Sequence, residues 1–155
     1  MRIDETDRGI LEEYQKDASV SYNELAEKLG IPSSTVFSRI RRMNEAGIIK
    51  GIVPLVDASA LGKGTTAWIM VELESGTDCC EFADEIAEWD EIMEVYELAG
   101  GWDLMLKVKI EDNEALHILS KRVNRMPGVH KTSSVIALRN VKEDPRISLR
   151  HEKKD

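Results

Sequence analysis

The sequence predicts an α+β protein with an N-terminal helix-turn-helix domain of winged-helix-like type and a C-terminal ferredoxin-like βαββαβ domain. Two observations lead to this prediction. Before residue 48, three segments show helical spacing of apolar residues, and a short turn with Gly30 separates the second from the third. After residue 64, segments typical of strands and helices follow in the order strand, helix, strand, strand, helix, strand.

Capping residues indicate where the first two helices begin. Asp4 is a candidate N-cap for a helix to about Asp17, because its carboxylate accepts from free N–H groups of the first turn. Ser21 and Glu24 have the spacing of a capping box, which predicts the start of a second helix. Gly30 then ends this helix, since glycine adopts the left-handed conformation without strain.

A third helix is predicted from Ser33 or Ser34, either of which is a candidate cap, to about Ala46, with Gly47 closing it. Projected at about 100° per residue, its apolar side chains cluster on one side, which therefore faces the core. These core residues are Val36, Ile40 and Met43.

The other side of this helix has the residue types of a DNA recognition helix. Small hydroxyl side chains permit close approach to the major groove, and arginine pairs with guanine edges or phosphates. The alternative is a solvated polar face on a small helical packing module. For Arg39, an ion pair with an acid of the first helix is an equally weighted alternative. The candidate DNA-binding residues are Ser34, Thr35, Ser38, Arg39, Arg41 and Arg42.

The net charge of −8 would argue against DNA binding if the charges were spread evenly along the chain. Residues 73–97 contain ten acids and no Lys or Arg, whereas residues 33–50 contain four basic residues and one acid. The sequence therefore predicts a locally basic segment in an acidic protein, with the acidic stretch on the other domain and away from phosphates.

The predicted domain boundaries follow from these segments. The helix-turn-helix domain comprises residues 1–47, an extended linker residues 48–64, the oligomerisation and effector-binding domain residues 65–142, and a charged, mobile tail residues 143–155. Within the third of these, strands are predicted at 65–73, 92–98, 103–110 and 129–142, and helices at 78–89 and 112–125.

The predicted four-stranded sheet has one face covered by helices, so its other face requires a second cover. Pairing of two subunits through these faces provides one, and the long predicted last strand, residues 129–142, supports it. A homodimer is also expected because two recognition helices read two half-sites about one helical turn apart.

Six segments, in this order and spacing, carry a further similarity: Ile3–Leu11, Leu25–Ile31, Arg39–Gly51, Leu61-Gly62, Gly100–Asp103 and Met126–Val129. Each segment alone is weak. Together, over about residues 3–142, they resemble those of the Lrp/AsnC (leucine-responsive, or feast/famine) family of prokaryotic transcription regulators.

The resemblance implies dimers that associate into tetramers, octamers or larger assemblies, with a free amino acid bound between dimers near the glycine-rich hairpin. Backbone N–H groups of such a hairpin hold a carboxylate, and Asp103 receives an ammonium group. The alternative is that the glycines only allow a tight hairpin, which Asp103 caps. The candidate effector-binding residues are Gly100, Gly101, Asp103, Thr132 and Ser134.

Neither a metal site nor a cofactor nor an enzymatic activity is predicted. Cys79 and Cys80 are adjacent, and the three histidines are scattered, so no metal-ligand spacing exists. Siroheme decarboxylases resemble this family in both domains but carry a His in the strand before the hairpin, and residues 94–98 contain none. A metabolite-sensing oligomer that does not read DNA is the other alternative.

No apolar run approaches the ~20 residues needed to cross a bilayer, and no signal segment is evident. A cytoplasmic location is expected. The expected partners are double-stranded DNA, further copies of this chain and an amino-acid effector.

Overall fold

The computed structural model describes residues 2–149. They form two compact units: the first comprises the described residues up to Leu55 together with those from Asp144, and the second is Val56–Glu143. Residues 48–64, predicted to be a linker, are thus divided between the two units. No helix of the described chain is long and apolar enough to span a membrane.

The first unit contains α1 (Glu5–Lys16), α2 (Tyr22–Leu29) and α3 (Ser33–Glu45). As predicted, Asp4 caps α1, Ser21 and Glu24 form a capping box on α2, and Gly30 ends α2 with φ +65°. The structure adds that Asp7 completes a capping box with Asp4. No strand occurs in the described part of this unit, and α3 is followed after Gly47 by a segment without helix or strand.

The start of α3 differs from the prediction that Ser33 or Ser34 caps it. The N-cap is Pro32, and its carbonyl accepts from the amides of Thr35 (2.9 Å) and Val36 (3.2 Å). No side chain caps this helix. The proline ring holds φ near its observed −62°, which places the carbonyl for the first helical turn, so both serines lie inside that turn.

The core of the first unit confirms the predicted inner face of α3. Val36 and Met43 are fully buried and Ile40 nearly so. They pack with residues of the two preceding helices, because the apolar stripes of all three helices point to one centre. The partners are Ile10 of α1 and Leu25 and Ala26 of α2.

The second unit contains the six predicted elements in the predicted order: β1 (Thr65–Leu73), α4 (Cys79–Ala87), β2 (Ile92–Glu97), β3 (Leu104–Ile110), α5 (Asn113–Asn124) and β4 (Val129–Ile136). The strands form one antiparallel sheet in the order β2-β3-β1-β4, which is the ferredoxin-like arrangement.

The last strand is shorter than predicted, ending at Ile136 instead of residue 142. β4 runs antiparallel to β1, and Ile136 pairs with Ala67 close to the start of β1. The amide of Ala137 still donates to the carbonyl of Thr66 at 2.9 Å. Only Thr65 of β1 lies beyond this bond, so the pairing of the two strands ends close to the start of β1.

The two faces of the sheet differ. Alternate residues of β1 and β3, among them Ile69 and Leu106, are fully buried beneath α4 and α5. The opposite face, here called the open sheet face, consists of the remaining alternate residues of the four strands. Its members with apolar or aromatic side chains are Trp68, Met70, Tyr96, Met105 and Val135.

The tail that was predicted to be mobile is hydrogen-bonded over its described part. The amide of Ile147 donates to Gln15 Oε1 at 3.0 Å, and Gln15 Nε2 donates back to the Ile147 carbonyl at 3.2 Å. Arg8 Nη1 also donates to the Leu149 carbonyl. Ile147 and Leu149 therefore contact α1, whereas residues 150–155 of that prediction lie outside the described residues.

Gly128 precedes β4 at a position that excludes a side chain. Its φ is +83°, and a Cβ there would lie 2.6 Å from Thr77 Cγ2. Gly76 also has a left-handed φ, +95°, but no atom of the described residues lies within 4 Å of its Cβ position.

We predict that Gly128→Ala lowers the free energy of unfolding by about 3 kcal/mol, because backbone strain and overpacking against Thr77 add. Gly76→Ala should lower it by only about 1 kcal/mol, because backbone strain acts there alone. Urea unfolding of the two variants measures this difference. Equal losses would show that the Thr77 contact relaxes without cost.

Candidate nucleic-acid interface and effector site

The outward side of α3 presents most of the predicted DNA-binding residues to solvent. Ser34, Ser38, Arg41 and Arg42 are exposed, and Thr35 is partly buried. Ser38 Oγ donates to the Thr35 carbonyl at 3.0 Å, a bond within the helix that leaves the hydroxyl oxygen free to accept. The structure thus gathers these side chains on one helical surface.

Phe37 belongs to this surface but was not among the predicted residues. The residue is 53% exposed, and its ring meets the ring of Tyr22 edge to face, with 6.0 Å between centroids. An exposed apolar ring beside hydroxyl and arginine side chains suits contact with a thymine methyl group. The available signal was an aromatic residue projected to the edge of the polar side of a helix.

Two of the three arginines of α3 converge on one buried carboxylate. Asp7 of α1 is fully buried, and its side chain accepts from Arg39 Nη1 (3.2 Å to Oδ1) and from Arg42 Nη2 (2.9 Å to Oδ2). The backbone N–H of Asp4 adds a further bond to Oδ2, at 3.1 Å. Residues at positions i and i+3 of α3 therefore enclose Asp7 from one side of the helix.

Arg39 also forms an ion pair with Asp4 at the start of α1. The pKa of Asp4 is held below its usual value, first by the hydrogen bond from the Asp7 backbone and then by the bond from Arg39. The Arg39 side chain is 26% exposed. The ion pair that was one of the two alternatives for Arg39 is present, and a contact of Arg39 with DNA stays a prediction.

Arg41 differs from its two neighbours. It points into solvent with a 68% exposed side chain, and its Nε donates to Glu45 Oε1 at 2.8 Å. An exposed i, i+4 pair of this kind contributes about 0.3–0.5 kcal/mol, so it releases its arginine readily. Arg41 is therefore the arginine of α3 that is least restrained by the protein.

The hairpin predicted to hold an effector follows β2. Gly100 and Gly101 are exposed, neither has a left-handed φ, and no atom of the described residues lies within 4 Å of a Cβ built on either. The backbone therefore gives no reason for glycine at these two positions. The alternative that glycine is needed for the tight turn finds no support in their conformation.

Asp103 ties the hairpin to the sheet. Its Oδ2 accepts from the Leu73 amide at 2.7 Å, its own amide donates to the Val71 carbonyl, and its carbonyl accepts from the Leu98 amide. The capping role that was the alternative reading of Asp103 is thus present. Its Oδ1 remains an acceptor for a further donor.

Thr132 and Ser134 lie on β4, on the face of the sheet that α5 covers. Thr132 Oγ1 donates to Asn124 Oδ1 and Ser134 Oγ to Ser120 Oγ, both at 3.2 Å. Thr132 pairs across the sheet with Val71, the residue whose carbonyl accepts from the Asp103 amide. These hydroxyls and the hairpin end therefore lie at the same end of the sheet, two strands apart.

Cys79 and Cys80 are free thiols at the start of α4. Burial, followed by the charges of Glu97 and Asp103, raises the pKa of Cys79, and the charge of Glu97 is the main cause that raises the pKa of Cys80. Both thiols are thereby disfavoured as thiolates and as nucleophiles. Among the described residues no group of acids, histidines and cysteines could hold a metal ion.

The open sheet face joins apolar side chains to a rim of ion pairs. Tyr96 and Val135 are about half exposed, and Trp68, Met70 and Met105 are partly buried. At the rim, Lys107 Nζ lies 2.9 Å from Glu94 Oε1 and Lys131 Nζ lies 2.6 Å from Glu72 Oε2.

Hydrogen bonds within ion pairs of this face shift the pKa values of Glu94, Lys107 and Glu143. The bond from Lys107 lowers the pKa of Glu94, and the same bond raises the pKa of Lys107. A bond from Lys109 lowers the pKa of Glu143. Glu94, Lys107 and Glu143 are thus held in their charged forms at neutral pH.

Comparison with known proteins agrees with this geometry. The family model of the Lrp/AsnC ligand binding domain matches residues 66–147, and that of a winged helix-turn-helix DNA-binding domain matches residues 3–50. The HTH-type transcriptional regulator FL11 of Pyrococcus horikoshii is 32% identical over 148 residues, which cover 96% of this chain and 97% of that protein.

Solved structures show the same fold along nearly the whole chain. AsnC of E. coli is 30% identical with a TM-score of 0.84, covering 92% of this chain and 97% of its own. A transcriptional regulator of Neisseria meningitidis, solved as a complex with L-methionine, is 25% identical with a TM-score of 0.87, covering 96% and 97%.

A helix-turn-helix domain followed by a ligand-binding domain defines a DNA-binding transcriptional regulator, and the matched relatives are regulators, not enzymes. The chain belongs to the Lrp/AsnC family, which confirms the resemblance seen in the six sequence segments.

Proposed function

We propose that a homodimer of this chain, acting in the cytoplasm, places the α3 helix of each protomer in successive major grooves and so reads a specific DNA site. The observation that carries the proposal is the outward surface of α3, where Ser34, Ser38 and the weakly restrained Arg41 are exposed together. The N-terminal turn of α3 has no side-chain cap, so its free N–H groups are available to a phosphate.

We predict that Arg41→Ala lowers affinity for a specific site at least about tenfold and weakens the salt dependence of binding. Fluorescence anisotropy on the DNA upstream of the protein's own gene, at two salt concentrations, measures both effects. Arg125→Ala removes the same charge from an exposed position in the second unit and is the matched control. No binding by the unaltered protein at micromolar concentration would favour the alternative, a metabolite-sensing oligomer that does not read DNA.

The dimer is proposed to form through the open sheet face. This face presents Trp68, Met70 and Met105 between ion pairs, while the opposite face is already covered by α4 and α5. Apposition of two such faces removes the exposed parts of these side chains from water and brings together no uncompensated charge, because each rim lysine has its own glutamate.

We predict that Trp68→Glu converts the dimer to a monomer, since it would place an unpaired carboxylate in the middle of the apposed faces. Sedimentation equilibrium measures the change in mass. Ile118→Glu makes the same kind of substitution on the exposed side of α5, where Ile118 is 61% exposed, and should leave the dimer intact. A Trp68→Glu protein that remains dimeric would assign the interface to another surface.

We propose that the effector is a free amino acid held at the hairpin, and that its binding changes the assembly or its grip on DNA. Gly100 and Gly101 are exposed and have no conformational need for glycine, so close approach of a ligand explains the missing side chains. The free Oδ1 of Asp103 suits an ammonium group. The complex of the Neisseria meningitidis regulator with L-methionine supports an amino-acid ligand.

We predict that Gly100→Ala leaves the free energy of unfolding unchanged or raises it by up to about 1 kcal/mol, because the new methyl group meets open space, yet abolishes amino-acid binding. Isothermal titration with the twenty amino acids provides the readout. Gly51→Ala, also in open space without a left-handed φ, is the matched control and should bind as the unaltered protein does. Equal binding by both variants would remove the hairpin from the site.

A further inference from the structure

Asp7 does more than stabilise the first unit if α3 reads DNA. Its carboxylate lies in α1, is fully buried, and accepts from arginines that are 32 and 35 positions further along the chain. Both of its oxygens accept from both arginines, at 2.9–3.3 Å. A buried charge with this many bonds holds a single geometry, because any other arrangement leaves it without partners.

The two arginines are restrained to different extents. Arg39 is 26% exposed and divides one nitrogen, Nη1, between Asp4 and Asp7. Arg42 is 47% exposed and engages Asp7 only through Nη2. A guanidinium carries five N–H donors, so Nε and Nη1 of Arg42 remain for another acceptor.

Anchoring at one nitrogen fixes where the remaining donors point. A bound phosphate then meets an arginine whose orientation needs little further ordering, and less conformational entropy is lost on binding. The anchor also limits reach: an arginine bonded to Asp7 at its tip is held toward α1 and does not extend to base edges.

We propose that Asp7 is a positioning residue that assigns the arginines of α3 their roles. It withdraws Arg39 from the DNA surface and aims the free donors of Arg42 at one phosphate, which leaves Arg41 as the arginine of α3 that reads a base. This inference rests on the proposed function, namely DNA recognition by α3. Phosphate contacts set the register of a protein on DNA, so Asp7 contributes to specificity without touching the DNA itself.

The test compares affinity for a specific site with affinity for unrelated DNA of equal length, by anisotropy, using the full chain. In Asp7→Asn the two guanidinium groups are released and each protomer loses one negative charge. We predict that unrelated DNA is then bound equally or more tightly, while the ratio of specific to non-specific affinity falls about tenfold or more. Glu27→Gln makes the same charge change at an exposed position of α2, away from the arginines of α3, and should keep the ratio.

A merely structural role predicts a different result. Partial unfolding of Asp7→Asn lowers specific and non-specific binding by the same factor, leaves the ratio unchanged, and would overturn the proposal. A combined variant gives a second criterion. If Asp7 acts through Arg39 and Arg42, Asp7→Asn causes little further loss of the ratio of specific to non-specific affinity in an Arg39→Ala/Arg42→Ala background. Independent, additive losses would also contradict it.

Arg42→Lys keeps the proposal testable if Asp7→Asn does not fold. Lysine retains the positive charge at this half-exposed position, but its single nitrogen cannot bond Asp7 and a phosphate with the geometry of a guanidinium. We expect unchanged non-specific affinity and salt dependence, with reduced specific affinity. Specific binding equal to that of the unaltered protein would overturn the proposal. Arg41→Ala separates this outcome from a failure of the proposed function. If α3 does not recognise DNA, Arg41→Ala also leaves the specific affinity unchanged.

Discussion

The buried carboxylate of Asp7 is the constraint on which the first unit depends. A charge without solvent is tolerated only where its partners are fixed, and Asp7 has a backbone N–H from the start of α1 and two guanidinium groups from α3. The apolar core formed by Ile10, Leu25 and Val36 holds the helices together without specifying their rotation closely. The ion-pair cluster adds that specification, because its bonds require one particular alignment of α3 against α1.

This cluster also reduces the positive charge that α3, the proposed recognition helix, presents to solvent. The sequence shows three arginines in α3, but the structure pairs each of them with a carboxylate: Arg39 and Arg42 with buried Asp7, and Arg41 with exposed Glu45. The positive charge offered to a phosphate backbone is therefore smaller than the composition suggests. Recognition by such a helix depends on placement of a few donors more than on total charge.

Much of the fold could be predicted because its signals are local. The capping box of Ser21 and Glu24, the left-handed Gly30 and the apolar spacing of α3 each act within a few residues. The ferredoxin-like order of the second unit followed from the same kind of pattern. The end of β4 could not be predicted, since pairing stops near Ile136 only because β1 begins at Thr65, on a distant part of the chain. Pro32 as the cap of α3 was hidden by two serines that resemble better caps.

The features of the candidate sites fall into the same two groups, those with a local sequence signal and those that depend on residues far apart in the chain. The outward side of α3 was predicted from periodicity, whereas the bonds of Asp7 to Arg39 and Arg42 span more than thirty positions and have no local signature. Asp103 was predicted to bind the effector through its carboxylate. In the structure Oδ2 accepts from the Leu73 amide, so only Oδ1 could accept from the proposed ligand. Only the backbone conformation shows that neither Gly100 nor Gly101 has to be glycine to form the hairpin.

The strand order leaves β2 and β4 as the two edges of the sheet, and both are poor templates for further strands. The residues of β4 include His130, Lys131 and three consecutive hydroxyl side chains, Thr132–Ser134, and β2 carries Glu94 and Glu97 with a register shift after Ile92. Charged residues and irregular register oppose the edge-to-edge growth that leads to amyloid-like aggregation. A sheet with two free edges needs this protection, because it could otherwise extend by adding strands without limit.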